Sequence, residues 1–269
     1  MDKKAVQAIC VGVATGMLFL QAMVAGGVAS EEMGMVMDSM RSLRRSDNIY
    51  YELTSFTKGE ETVQKIWADF LSEQWVEELS VQDDDGMVVS WERYFDGRNE
   101  WLNDGQSGWD MTDSEGDVPG LTTLTYFPFG VDDIEETESE EAEDGVKLIF
   151  TAAEELLEKR KEELAKLLEA ETGGSSMREI SYQQYADTRF ENVTVTYEID
   201  GAGELREVQF MMDVTQPQLL LKGGGKYELG EEETYRMGYT ARVVKVNTNQ
   251  AETKIREYAA EVSFVENLQ

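Results

Sequence analysis

The residues able to do chemistry in this chain are carboxylates. Asp and Glu number 55 against 24 Lys and Arg, there is no His, and the one Cys is Cys10. Without imidazole there is no Ser-His or Cys-His nucleophile pair and no His-bound metal. One Cys closes neither an internal disulfide nor a Cys-rich zinc site. A net charge of −31 lacks the basic footprint that displaces counterions from nucleic acid. Two positioned carboxylates can serve as a glycosidase acid and base, but no spacing here selects a pair. Asp110, Asp113, Glu115 and Asp117 with Gly116 put oxygen ligands close together, as calcium loops do, without the later Glu or flanking helices of an EF-hand. Gly223-Gly224-Gly225-Lys226 lacks the spacing of a phosphate loop and reads as a turn, as does Asp83-Asp84-Asp85-Gly86. The expectation is a protein that binds and does not catalyse, with no cofactor, no resident metal and no nucleic-acid partner.

The chain of 269 residues is 41% hydrophobic and 10% aromatic, enough to build a core. Its first thirty residues begin with Lys3 and Lys4 and then run uncharged from Ala5 to Ala29. Small residues close the run, in Ala25-Gly26-Gly27 and Gly27-Val28-Ala29. That is the layout of a secretory signal peptide. The run is also long enough to span a bilayer, for which about 20 residues suffice. Residues 1–30 are therefore read as a signal peptide or an N-terminal anchor, and the protein as exported to the cell envelope or beyond. Cleavage would leave 22 basic and 54 acidic residues, a net of −32, and no Cys. Contact with a membrane is expected only through this segment, if it is kept.

The elements that must position any site follow from periodicity. Over 31–47, Met33, Val36, Met37 and Met40 recur at helical spacing, with acids early and Arg41, Arg44 and Arg45 late. From residue 49 the period falls to two. Ile66 and Ala68 alternate with Trp67 and Asp69; Trp75, Glu77, Leu79 and Val81 form the next run, and Val89, Trp91 and Phe95 another. Asp96-Gly97 turns the chain toward Trp101 and Trp109. Such runs joined by Asp-Gly turns predict an antiparallel meander. Residues 131–145 hold nine acids and no base, and this density predicts a solvated loop. A capping box, Thr151 to Glu154, and the stop at Gly173-Gly174 predict a leucine-lined helix over 151–171. Strands return with Val193, Val195, Tyr197 and Ile199, then Val208, Phe210, Met212 and Val214, then Tyr235 to Val243. Ile255, Tyr258, Ala259 and Val262 suggest a closing helix. The fold expected is α+β: one strongly curved antiparallel sheet of about eight to eleven strands, an open half-barrel, with two or three helices on its concave side.

This layout resembles the lipoprotein-localisation-factor (LolA-like) superfamily of bacterial envelope proteins, over most of 31–246. The points of similarity are the leader, a short helix entering a strand at 49–58, the Trp91-Glu-Arg-Tyr-Phe-Asp-Gly97 run with Trp101 and Trp109 after it, and the hairpin from Tyr197 through Gly201 to Phe210. The departures are the acidic stretch 131–145 and the lack of a cysteine placed for lipid attachment. The resemblance implies a single half-barrel domain over 31–269 with an apolar groove for acyl chains or a partner's lipid anchor. Phe70, Trp75, Trp91, Phe95, Tyr197, Phe210 and Met212 are the candidate lining. Helices that fill the hollow would turn the same residues into ordinary core. A surface-tethered module for protein or glycan, with no internal ligand, is the other reading. Oligomeric state is not legible.

Overall fold

Alternation of apolar and polar residues builds strands, and here the strands build one open sheet. The computed structural model describes residues 30–82, 86–106, 108–112, 116–154, 156, 183–184, 186–222 and 226–266. The leader with Cys10, most of the expected helix 151–171, the Asp83–Asp85 turn, the Gly223–Gly225 turn and part of the Asp110–Asp117 run lie outside them.

The strands are β1 (Asn48–Thr57), β2 (Glu60–Asp69), β3 (Gln74–Gln82), β4 (Val88–Phe95), β5 (Glu100–Asn103), β6 (Trp109–Thr112), β7 (Ile134–Ala142), β8 (Gly145–Ala152), β9 (Arg189–Asp200), β10 (Leu205–Lys222) and β11 (Lys226–Val246). All eleven share one antiparallel sheet in the order β6-β5-β4-β3-β2-β1-β11-β10-β9-β8-β7. The topology is two meanders. The first walks outward from β1 to the β6 edge; the second starts at the opposite edge with β7 and walks back to β11, which pairs with β1. Between β6 and β7 the chain must therefore cross the whole sheet. Residues 116–133 make this crossing, and they are called the strap below.

Three helices are described: α1 (Glu31–Leu43), α2 (Leu121–Thr125, inside the strap) and α3 (Asn249–Glu266). Ser30 caps α1, its side chain accepting from the Met33 N–H at 3.2 Å, and Met33, Val36, Met40 and Leu43 are the buried stripe. Successive strand residues point to opposite faces, so β2 shows which side each helix covers. Ile66 and Ala68 belong to the cluster that holds α1 and the strap, whereas Trp67 between them belongs to the cluster under α3. The helices expected on one side are thus divided. α1 and α2 share one face, here the strap face, and α3 lies on the other. The cause is β2–β6: Trp67, Val76, Tyr94, Trp101 and Trp109 make the second face of these strands apolar too, and an uncovered apolar patch of that size is rare.

The acidic stretch is not a loop. Residues 134–142 form β7, the edge strand, exposed along nearly its whole length and paired with β8. Charge density forbids burial and leaves extended backbone open to it. A strand sets same-face neighbours roughly 6.6 Å apart, and an edge lets carboxylates on both faces reach water. Glu140 also pairs with Lys147 on β8 at 3.1 Å. The helix start moves as well. Thr151 lies in β8 opposite Thr194, so it is a ladder residue and not an N-cap; helical backbone is found at Glu154 and Leu156.

Turns supply a pH handle. Asp200 ends β9, and its carboxylate accepts from the Ala202 and Glu204 N–H groups at 2.9 Å each and pairs with Arg206. The Glu204 N–H is the largest influence, aided by Arg206 and Ala202 and opposed by burial, and the carboxyl is held below its ordinary value of 3.8. A depressed value adds stability above the unfolded value, and that stability is lost as pH falls through the folded one. Asp200→Asn is expected to cost about 1–3 kcal/mol at pH 7 and little near pH 2, measured by urea denaturation at both.

Candidate functional site

The strap face is the candidate site, and cross-strand register builds it. One row of directly opposed residues runs Leu148, Tyr197, Val208, Ala241, Leu53 and Gln64. The next runs Phe150, Val195, Phe210, Tyr239, Ser55 and Thr62. The first stays apolar from β8 through Leu53 on β1 and turns polar at Gln64 on β2; the second is apolar from β8 to β11 and turns polar at Ser55 and Thr62. Over them lies the strap, which buries Leu124, Phe127 and Phe129 in the same cluster. Phe127 stacks on Tyr197 with ring centres 5.6 Å apart and meets Phe150 edge-on at 5.0 Å.

The strap is clipped down by side chains that donate to its carbonyls. Trp75 Nε1 donates to Gly116 at 3.1 Å, Tyr51 Oη to Pro119, and Arg44 Nη2 to Thr125. Two glycines permit the close approach. Gly116 (φ +80°) and Gly120 (φ +65°) have left-handed backbones, and a Cβ at either would come within 2.7 Å of Phe95 or 2.8 Å of Leu53.

Of the seven residues expected to line a groove, Trp75, Phe95, Tyr197, Phe210 and Met212 are buried in this one cluster and Phe70 packs against it partly buried. Trp91 is in phase with Phe95 on β4 and stands opposite Leu79, half-buried and outside the cluster. The other three Trp, at 67, 101 and 109, are buried on the α3 face, so the five make no exposed row.

A polar network sits on the strap face that the sequence reading did not single out. Glu77 is fully buried. Its two oxygens accept from Gln64 Nε2 at 2.6 Å and Arg93 Nη1 at 2.7 Å; Arg93 Nε reaches Glu100 at 2.7 Å, and the guanidinium lies over the Trp75 ring at 5.1 Å. Burial works to lower Arg93, but Glu77 and Glu100 outweigh it and raise the group. Burial first, and Glu77 second, push the Tyr51 phenol well up. The sequence did hold a signal: Glu77 is in phase with Trp75, and Arg93 with Trp91 and Phe95, so two opposite charges repeat on apolar faces of neighbouring strands.

The α3 face carries a different arrangement. Glu140, Lys147, Glu198, Glu207, Arg242, Glu52, Lys65, Glu78 and Glu92 stand directly opposite one another from β7 to β4. Glu78 and Glu92 are neighbours of like charge. Tyr258 Oη reaches both, at 3.1 and 2.9 Å, while Lys254 pairs with Glu78 at 2.6 Å and Asn103 donates to Glu92 at 2.9 Å. Burial, then these carboxylates, push the Tyr258 phenol far up. Beside them opens a groove of about 210 Å³ lined by Val63, Lys65, Glu78, Ser80, Ser90 and Glu92 among others. Among the described residues no group of three or more acids is placed to hold a metal ion, and no helix is long and apolar enough to cross a membrane.

The buried network gives a direct test. Arg93→Ala leaves Glu77 charged and unpaired, which is expected to cost about 3–5 kcal/mol. The triple variant E77L/R93M/E100L removes the charges together and should recover most of that loss, read from urea midpoints. No family model matches this chain, and no curated protein matches it in sequence.

Proposed function

We propose that this chain is an exported cell-envelope protein that carries or senses an apolar ligand, a lipid or the acyl part of a lipoprotein, on the strap face. In this reading the sheet bends strongly into an open half-barrel around that face, α1 and the strap lie in its hollow, and residues 1–30 direct export, cleaved or kept as an anchor. It binds without turnover. The observation that supports the reading is the gathering of Trp75, Phe95, Tyr197, Phe210 and Met212 in one cluster whose cover is a crossing segment and not a second sheet.

Magnitudes favour an exchangeable cover. Exposing Phe127 and Phe129 costs about 1.5–3 kcal/mol each, and each of the three clips is worth about 0.5–1.5 kcal/mol. An acyl chain returns about 0.8 kcal/mol per buried methylene, so a dozen methylenes are enough to replace them. The delipidated full chain is therefore expected to take up the neutral fluorophore N-phenyl-1-naphthylamine. The double variant F127A/F129A removes the competitor for the face and should bind the dye roughly tenfold tighter. No uptake by either form overturns the reading.

The alternative, a tethered module for protein or glycan, draws on the groove beside Glu78 and Glu92, which is polar, open to solvent and bounded by Ser80 and Ser90. Binding on a glycan array abolished by Ser80→Trp, with no dye uptake, would favour it.

A further inference from the structure

Among the described residues, two hydroxyls on the strap face are buried without a hydrogen-bond partner, Ser55 Oγ and Tyr197 Oη. Ser55 is 8% exposed and Tyr197 is fully buried. A buried polar group left unpaired costs about 1–3 kcal/mol, and folded proteins satisfy nearly all of theirs. Tyr197 stands in one row on β9, between Leu148 and Val208, and Ser55 in the next row on β1, where that row turns polar. Ser55 faces Tyr239 across the β1–β11 pairing, and Tyr197 is close enough to Tyr239 for the two to act on each other electrostatically. Phe127 of the strap lies on the Tyr197 ring. The unpaired Tyr197 phenol therefore sits beneath the piece of cover that a ligand would displace. Burial, reinforced by Tyr239, pushes the Tyr197 phenol well up, so at neutral pH it is protonated and able to donate.

Charges elsewhere on the same face bear on the choice of head group. Glu77 and Glu100 share the single guanidinium of Arg93, so these three residues carry one more negative charge than positive. The cations at the border of this face are engaged, Lys58 by Glu233 and Arg44 by the Thr125 carbonyl. A carboxylate brought under the strap would lose its water, find these cations taken, and meet a negative field at low dielectric. An uncharged oxygen would find a waiting donor in Tyr197, and a second oxygen of the same head group would find one in Ser55.

Resting on the apolar-ligand reading above, we propose that the strap face takes a long-chain amphiphile with an uncharged head, an ester or an alcohol, seated on Tyr197 and Ser55, and rejects the corresponding free acid. The test loads the delipidated full chain with N-phenyl-1-naphthylamine and displaces it at pH 7.5 with 1-monopalmitoylglycerol, hexadecanol or palmitate. The ester and the alcohol are expected to displace at roughly tenfold lower free concentration than palmitate, equivalent to about 1.4 kcal/mol. Tyr197→Phe and Ser55→Ala remove most of that advantage, measured for each variant as the ratio of palmitate to ester and alcohol displacement. Because neither hydroxyl has a partner in the unliganded protein, neither variant lowers its melting temperature. Palmitate competing as well as the ester, variants that keep the full advantage, or a destabilised unliganded Tyr197→Phe overturns the head-group proposal and leaves the groove standing. A parent chain that takes up no dye overturns both.

Discussion

The pairing of β1 with β11 is the contact on which the rest depends. Every other strand pair joins elements adjacent in sequence, and only this one links the two meanders. Its partners, from Ile49 opposite Val246 to Thr57 opposite Met237, are about 180–200 residues apart. Closing so long a loop costs only logarithmically more than closing a short one, but it rewards the chain only once both meanders exist. The join sets Leu53 opposite Ala241 and Tyr51 next to Val243, which makes the apolar face continuous from one half to the other. A slip of one residue would turn the apolar side of one half outward. At the end of the join an asparagine pair fixes the register: Asn48 accepts from the Asn247 and Thr248 N–H groups at 3.0 Å each, and Asn247 accepts from the Asp47 N–H at 2.7 Å.

From that join follow two faces of opposite character. On the strap face the second meander is nearly pure hydrocarbon and aromatic ring, and the first mixes in Ser55, Gln64, Glu77 and Arg93. On the α3 face a charged row crosses the sheet and keeps it wet. The exception lies at the β2–β6 end, where Trp67 stacks on Tyr50 at 4.6 Å and Trp109 meets Tyr258 edge-on at 5.6 Å. There both faces are apolar, and the chain needs α3 as a second cover.

Much of this was legible because one-faced alternation is a strong signal. It marked β1 to β4 and β9 to β11, the N-terminal stripe of α1, and the face shared by Trp75, Phe95, Tyr197, Phe210 and Met212. It failed at the β7–β8 hairpin for two physical reasons. β7 is exposed on both sides and has no apolar phase to detect. β8 does alternate, through Val146, Leu148, Phe150 and Ala152, but Thr151 and Glu154 imitate a capping box at its end. The cover escaped as well. A strap is defined by where its ends are anchored, and that is set by sheet order, which local periodicity does not contain. Nor does alternation report a charge on the wrong face. Glu77 stands in sequence between Trp75 and Leu79, and nothing in that local pattern points to Arg93 on the next strand.

The placement of acid explains how so large a sheet stays open. An unclosed sheet has two edges, and each offers a row of unpaired backbone groups to another chain. The β7 edge carries Glu135, Glu136, Glu138, Glu140 and Glu141, which makes pairing with a second copy of itself a meeting of like charges. The β6 edge is guarded by brevity, four residues beyond the Gly105 and Gly108 turns. Its Met111 stays exposed, but Trp109 is drawn under α3. Both edges are thus blunted, and the α3 face is crossed by a charged row. Acidity and the covered face are therefore two parts of one arrangement: the first discourages a neighbour from completing the sheet, and the strap, with α1, packs over the apolar rows from within the same chain.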